Sequence, residues 1–168
     1  ADGMVVDKVA QMRKAGRTLA EAAHWVKENI PHFCLYATVD DLNHLYRGGR
    51  VSRTTAFLGS AIGIKPILKL DDTGNEEGKL VPLSKVRGRK QSIQALVKYM
   101  EEHAGAFLKQ NDKVYITHGD CLEEAQYLAQ LVKEKFGIAK AMINHIGPVI
   151  GSHAGPGALA LSFMGESK

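Results

Sequence analysis

Cysteine is scarce in this 168-residue chain: Cys34 and Cys121 are the only two, far apart and in apolar or strand-to-helix contexts. That count argues against a disulfide framework and a cysteine-based zinc site, and a reducing compartment, the cytoplasm, is expected. Long apolar runs are missing as well. None approaches the roughly 18 residues of a membrane-spanning helix, so no integral membrane segment is expected. Aromatic residues form only 7% of the chain and none interleaves with the basic runs, which argues against a nucleic-acid partner despite a net charge of +4. The seven histidines make no i, i+4 pair around a glutamate, and neither a G-x-S-x-G elbow nor a Walker sequence occurs. No metal, no cofactor and no complete catalytic set is expected. The opening Ala1-Asp2-Gly3 reads as the continuation of a preceding segment, so the lack of a targeting signal carries no weight.

What is present is the composition of a globular domain, 45% hydrophobic and 24% charged, long enough to build its own core. Val5, Val9 and Met12 predict a first amphipathic helix. A capping box from Thr18 to Glu21 opens a second, with Leu19, Ala22, Val26 and Ile30 inward and Pro31 as its stop. A strand through Phe33, Leu35 and Ala37 leads to a helix start at Thr38 and Asp41, with Leu42 and Leu45 inward and Gly48-Gly49 closing it. A short helix from Ser52 with Ala56, Phe57, Ser60 and Ala61 precedes a strand, Ile64 to Leu70, whose Pro66 calls for an edge or start position. Turn formers Asp71 to Asn75 and the alternating Leu80 to Val86 complete a hairpin. Ile93, Leu96, Val97 and Met100 mark a helix over Arg89 to Ala104. Val114 to Ile116 read as a strand, followed by a helix capped by Asp120 and Glu123, carrying Leu122 to Phe136, and closed by Gly137. The last two strands lie within Ile138 to Ile146 and Ala158 to Phe163, on either side of a glycine-rich loop, Gly147 to Gly157. Six strands with both hairpin and crossover connections predict an α/β fold with a mixed sheet.

Three constellations could carry function. Arg47-Gly48-Gly49-Arg50 with the helix start after it suits an anion, because glycines admit a close approach and arginine holds carboxylate or phosphate through paired bonds; a plain helix C-cap with an exposed arginine explains the same residues. His153 stands between glycines and a proline, where it could bind a carboxylate or merely cap a turn. Lys85, Arg87, Arg89 and Lys90 form a basic run that is either a docking patch or a solvated turn. His118 and Asp120 at a strand-to-helix turn are a weak catalytic signal.

In order and spacing, Asp40-Asp41-Leu42 with Leu45 and Arg47-Gly48-Gly49-Arg50, then Ile64-Lys65-Pro66-Ile67-Leu68, Lys85-Val86-Arg87-Gly88 and His153-Ala154-Gly155-Pro156-Gly157 resemble the DegV family across nearly the whole chain. The resemblance implies a bacterial lipid carrier rather than an enzyme. A long-chain fatty acid, palmitate- or oleate-like, would lie between an N-terminal Rossmann-like domain, missing from this chain, and a two-layer C-terminal domain with a six-stranded mixed sheet. Residues 1–168 would be that C-terminal domain with its preceding linker helices. It further implies that Arg50, His153, Gly155 and Gly157 organise the head-group site, that Lys85, Arg87 and Arg89 face a separate ATP-dependent fatty-acid kinase, and that no cofactor other than the lipid is needed. One departure stands out: Ala154 occupies a position where the family motif usually has threonine. The competing reading is an enzyme acting on a phosphorylated or carboxylated small molecule through Arg50, His118 and His153.

Overall fold

The computed structural model describes residues 2–51, 63–70 and 80–166. The helix expected after Ser52 and the turn formers Asp71 to Asn75 lie outside the described residues. Six strands form one sheet: β1 (Phe33–Thr38), β2 (Ile64–Leu70), β3 (Leu80–Arg87), β4 (Val114–His118), β5 (Ala141–His145) and β6 (Leu159–Met164). Their order is β3-β2-β1-β6-β4-β5. Only β4 and β5 pair in parallel, because a helix crossover joins them; the other neighbours are antiparallel. The expected mixed sheet is present. Pro66 sits on β2 beyond the residues that pair with β1, so the strand has an edge there although it is interior in the sheet.

One face of this sheet is covered by α4 (Arg89–Ala104) and α5 (Leu122–Phe136). Ile93, Leu96, Val97 and Met100 of α4, and Ala125, Leu128 and Val132 of α5, are buried against Tyr36, Ile67, Ile116, Leu161 and Phe163. That is the predicted periodicity turned into a core. Gly137 ends α5 in the left-handed conformation, φ 73°, as expected of a C-cap. The other end differs from expectation. Asp120 does not cap α5: it takes φ 55°, a positive value that no other described non-glycine residue shares, and Cys121 is the N-cap residue. The Cys121 N–H donates to His118 Nδ1 at 3.2 Å.

Among the described residues, the opposite face is covered only at its two ends. At one, α1 (Asp2–Lys14) buries Met4 on Tyr115 and Met164. Its Asp7 carboxylate accepts from the Tyr115 hydroxyl at 2.6 Å, Lys113 at 2.9 Å and Gln11 at 2.8 Å. α2 (Leu19–Asn29) begins with the predicted capping box at Thr18 and Glu21. Its expected inward stripe is not fully inward: Ala22 is buried, but Leu19 is 87% and Ile30 57% exposed. The helical period was right, but the first and last residues of the stripe stay exposed. At the other end lie α3 (Leu42–Arg47) and α6 (Pro148–Ala154). Asp41 caps α3 by accepting from the Asn43 N–H, and Leu42 and Leu45 are buried. The expected glycine-rich loop is thus largely a helix, started by Pro148 at a position that needs no N–H donor.

A polar node ties these layers together. Arg89, at the start of α4, donates to Glu124 on α5 through Nε at 2.9 Å and to the Gly157 carbonyl at 2.6 Å. It also lies 3.8 Å from Asp40, which Lys65 pairs at 2.7 Å. Its side chain is only 17% exposed. Arg89 therefore does not belong to the solvent-reaching basic run expected from the sequence; ion pairing has drawn it inward.

Two predictions concern stability. Arg89→Ala leaves Glu124 and Asp40 without their shared cation, and because the node is partly hydrated it should cost about 2–3 kcal/mol in denaturant unfolding. Removing Glu124 as well should cost clearly less than the two single losses added together, since both report one interaction. The second uses pH. The Tyr115 hydroxyl, then Lys113, hold the Asp7 carboxyl below its ordinary value. Its contribution is therefore fully present above the unfolded value, about 4, and is lost as pH falls through the lower folded value. Acid titration of stability should be shallower in Asp7→Asn than in the wild type, and equal slopes would show that Asp7 does not anchor α1.

Candidate functional site

Side chains alternate between the two faces of a strand, so Leu35 and Ala37 on β1, Ala160 and Ser162 on β6, and Tyr115 and Thr117 on β4 share the face away from α4 and α5. The register places Ala37 and Thr117 on either side of Ala160. Three small residues thus form a row across the strands. The neighbouring row, Leu35, Ser162 and Tyr115, is set by the same pairing. Beyond it α1 covers the sheet; on the other side α3 and α6 do. Between those helices runs an open band, a cavity of ≈ 520 Å³.

The band crosses the strands instead of following them. Leu80 on β3, Leu70 on β2, Leu35 and Ala37 on β1, Ala160 on β6 and Thr117 on β4 all line it. From β3 to β4 are four strand spacings, about 19 Å in total. Leu45 from α3 and Ile150 and Ala154 from α6 form the upper wall. Ala154 is buried in an apolar cluster with Val39, Leu42, Leu45, Val51, Leu68 and Ala158. A methyl suits that position, where a hydroxyl would need a partner.

Arg50 and His153 both line this cavity, so the structure brings together the two polar side chains singled out for a head group. Arg50 follows the α3 C-terminus, where Gly49 takes φ 71°. Its guanidinium is exposed and donates to the Gly48 carbonyl at 2.6 Å. His153 is half-buried in the last turn of α6. Its ring lies against Gly48, where a Cβ would stand 2.2 Å from Nδ1. The other two expected residues act as spacers. A Cβ on Gly155 would meet the His44 ring at 2.6 Å, and one on Gly157 would meet Asp40 at 2.2 Å; both glycines also have positive φ. They let α6 and the start of β6 approach α3 closely, rather than touching the cavity themselves. An apolar trough with an arginine and an imidazole at its rim can hold a long apolar molecule by one anionic end.

His118 is not part of this rim. It is 1% exposed, accepts from Cys121 through Nδ1, and therefore carries its proton on Nε2 when neutral. Burial, then the neighbouring His145, push its pKa down. The His145 ring, 4.4 Å away between centroids, does line the cavity. The three residues of the enzyme reading are thus not assembled around one space. Burial also pushes the Cys121 thiol up to about 11, away from the thiolate form that a cysteine nucleophile uses. No group of three or more possible metal-binding side chains occurs among the described residues. Lys85, Arg87 and Lys90 are exposed, and Lys90 lies 5.9 Å from the Tyr127 ring centroid. The residues sequence reading missed are the small ones, Ala37, Thr117 and Ala160, and the spacing partners His44 and Asp40. Strand alternation could have put the first three on one face, but only the register lines them up.

Gly48→Ala should destabilise by about 1–3 kcal/mol through overlap with the His153 ring. In a His153→Ala background the same change should cost much less. An unchanged cost there, measured by urea unfolding, would mean that the ring does not rest on Gly48.

Comparison with known proteins agrees with this architecture. The family described as "Uncharacterised protein, DegV family" matches residues 1–166. A DegV domain-containing protein of Clostridium perfringens is 41% identical over 167 residues, 99% of this chain and 55% of its own length. One from Streptococcus pyogenes is 36% identical over 166 residues, again 99% and 55%. The chain therefore spans about half the length of the curated relatives it matches. Among solved structures, the fatty acid binding DegV family protein of Streptococcus agalactiae superposes with a TM-score of 0.73 at 29% identity, covering 98% of this chain and 56% of that one. The fold also matches the Streptococcus pneumoniae Fatty Acid Kinase (Fak) B3 protein loaded with linoleic acid, TM-score 0.83 at 20% identity, covering 97% of this chain and 55% of that one. No described helix is long and apolar enough to cross a membrane. With the family match running from the first residue to within two of the last, this chain belongs to the DegV family.

Proposed function

We propose that residues 1–168 act as the C-terminal domain, with its preceding helices, of a lipid carrier that holds one long-chain fatty acid. The observation that carries this reading is the crosswise trough with Arg50 and His153 at its rim. Its apolar lining rewards each buried methylene by about 0.8 kcal/mol, so affinity comes from the tail and the rim orients the carboxylate. The S. agalactiae relative is named for fatty acid binding, which supports the same ligand class here. Because the chain covers little more than half of such relatives, the other half of their length, a Rossmann-like N-terminal domain, would close the trough as its second wall.

The second part of the proposal is presentation of the bound carboxylate to an ATP-dependent fatty-acid kinase in the cytoplasm. The S. pneumoniae neighbour's name links this fold to such a kinase, and the scarcity of cysteine suits a reducing compartment. Exposed Lys85 and Arg87 beside the start of α4 are the proposed docking cations. Arg89 is left out because its side chain is drawn inward and only 17% exposed.

Titration calorimetry is the first test. This chain fused to the N-terminal half of the S. agalactiae relative should take up palmitate or oleate at one per molecule, and this chain alone should bind more weakly. A delipidated fusion that takes up neither acid would sink the carrier reading. Within that fusion, Arg87→Ala should leave binding near normal and slow kinase-dependent phosphorylation, more so at low salt, because exposed charges steer encounter and are screened beyond about 8 Å at physiological ionic strength. His153→Ala should lower phosphorylation even at saturating kinase. Equal loss of lipid binding in both variants would refute this division of labour.

A further inference from the structure

The fork of Arg89 is only partly used. Nε donates to Glu124 and Nη2 to the Gly157 carbonyl. Nη1, which carries two protons, is closed off from solvent and has no hydrogen-bond partner among the described residues. Asp40 Oδ1 stands 3.8 Å from it, too far for a direct hydrogen bond.

A second polar atom is stranded close by. Thr38 is 0% exposed, and its Oγ1 likewise has no partner among the described residues. Thr38 stands opposite Ile67 on β2 and Leu159 on β6. Both of those belong to the core under α4 and α5, so the threonine side chain points to the same side of the sheet. Asp40 comes two residues after Thr38, and Gly157 two residues before Leu159. Arg89 reaches both. The guanidinium therefore lies across the end of the Ile67–Thr38–Leu159 row, and Asp40 is at most about 7 Å of chain from Thr38.

Leaving two such atoms dry is unfavourable. A buried hydroxyl or guanidinium N–H without a partner has given up its hydration for nothing, and polar atoms that converge in an interior are commonly bridged by an ordered water or an ion. Charge decides between these. Among the described residues, Arg89 and Lys65 bring two positive charges to this corner, and Asp40 and Glu124 two negative ones. A cation would meet the arginine and an anion would meet the carboxylates. A small neutral molecule that both accepts and donates suits every group present.

We propose that one buried water molecule is bound here, held by Arg89 Nη1, Thr38 Oγ1 and Asp40 Oδ1. It accepts from the guanidinium and from the threonine hydroxyl, and it donates to the carboxylate. Three partners are the usual number for an internal water. Asp40, which Lys65 pairs directly, is then joined to Arg89 through the water. Thr38 thereby enters the polar node although it carries no charge, and the end of β1 is tied to the start of α4 by a ligand that is not part of the chain.

A high-resolution crystal structure of the protein and urea unfolding of the nearly isosteric Thr38→Val variant test this together. The wild type should show density for one water within hydrogen-bond distance of both Thr38 Oγ1 and Arg89 Nη1. Thr38→Val should lose that density and lower the folding equilibrium constant by about tenfold, because the bridge to Arg89 and Asp40 is weakened. Thr38→Ser, which keeps the hydroxyl, should keep the water. A dry site predicts the opposite sign, since replacing an orphaned hydroxyl by a methyl raises the constant. If Thr38→Val does not fold, the wild-type density decides alone. Absence of density touching both groups, an ion in that place, or a Thr38→Val variant as stable as the wild type or more so overturns the site. None of these readouts involves a fatty acid, so the carrier reading stands or falls separately.

Discussion

The Arg89 guanidinium is the contact on which the geometry of the site depends. It reaches α5 through Glu124, the β1–α3 connection through Asp40 and the entry to β6 through the Gly157 carbonyl. The node sits on the helix-covered face, yet Asp40 lies just before the Asp41 cap of α3, and Gly157 lies in the short turn between α6 and β6. The upper wall of the trough is thus hung from a cation on the other side of the sheet. A partly buried arginine forms such a hub because its planar fork offers several donors in fixed directions and cannot shed its charge.

From that hub follows a division between what is tightly packed and what is open. α4 and α5 bury the central strands of one face, with large side chains such as Leu96, Met100 and Leu128. Among the described residues, the opposite face is filled at both ends of the strands and left as a band between them. Glycines make this possible in a specific way: Gly48 and Gly155 leave room for the rings of His153 and His44, so α3 and α6 stack closely without sealing the band.

Much of this was legible in the sequence. The helix over Arg89 to Ala104 was found at its observed ends, because apolar residues at i, i+3, i+4 and i+7 match a one-sided burial with few alternatives. Strands bounded by turn residues were placed within one to three residues. The errors share a cause. Gly147 to Gly157 read as a loop because glycine lowers helix propensity, yet Pro148 at the first turn and packing on α3 sustain a short helix there. Asp120 read as a cap because of its residue type, but the backbone turns left-handed at that point and His118 takes over the polar role. Arg89 read as exposed because its neighbours in sequence are; its partners, Asp40 and Glu124, are distant in the chain and invisible to local pattern. Arg50 and His153, which the sequence motifs single out, both line one cavity, whereas the small residues Ala37 and Ala160, being chemically silent, gave no local signal.

The crosswise course of the trough ties its volume to the hydrogen-bond ladder. β1, β6 and β4 each contribute one side chain to the row of small residues, so that row exists only while Ala37, Ala160 and Thr117 stay abreast. Sliding β6 by one residue would bring Leu159 or Leu161 into the place of Ala160 and fill the space with a leucine. The backbone bonds between β1, β6 and β4 are therefore the ruler against which the vacancy is measured. Substitutions that only loosen strand alignment, far from any lining residue, would change the shape of the space as surely as those that line it.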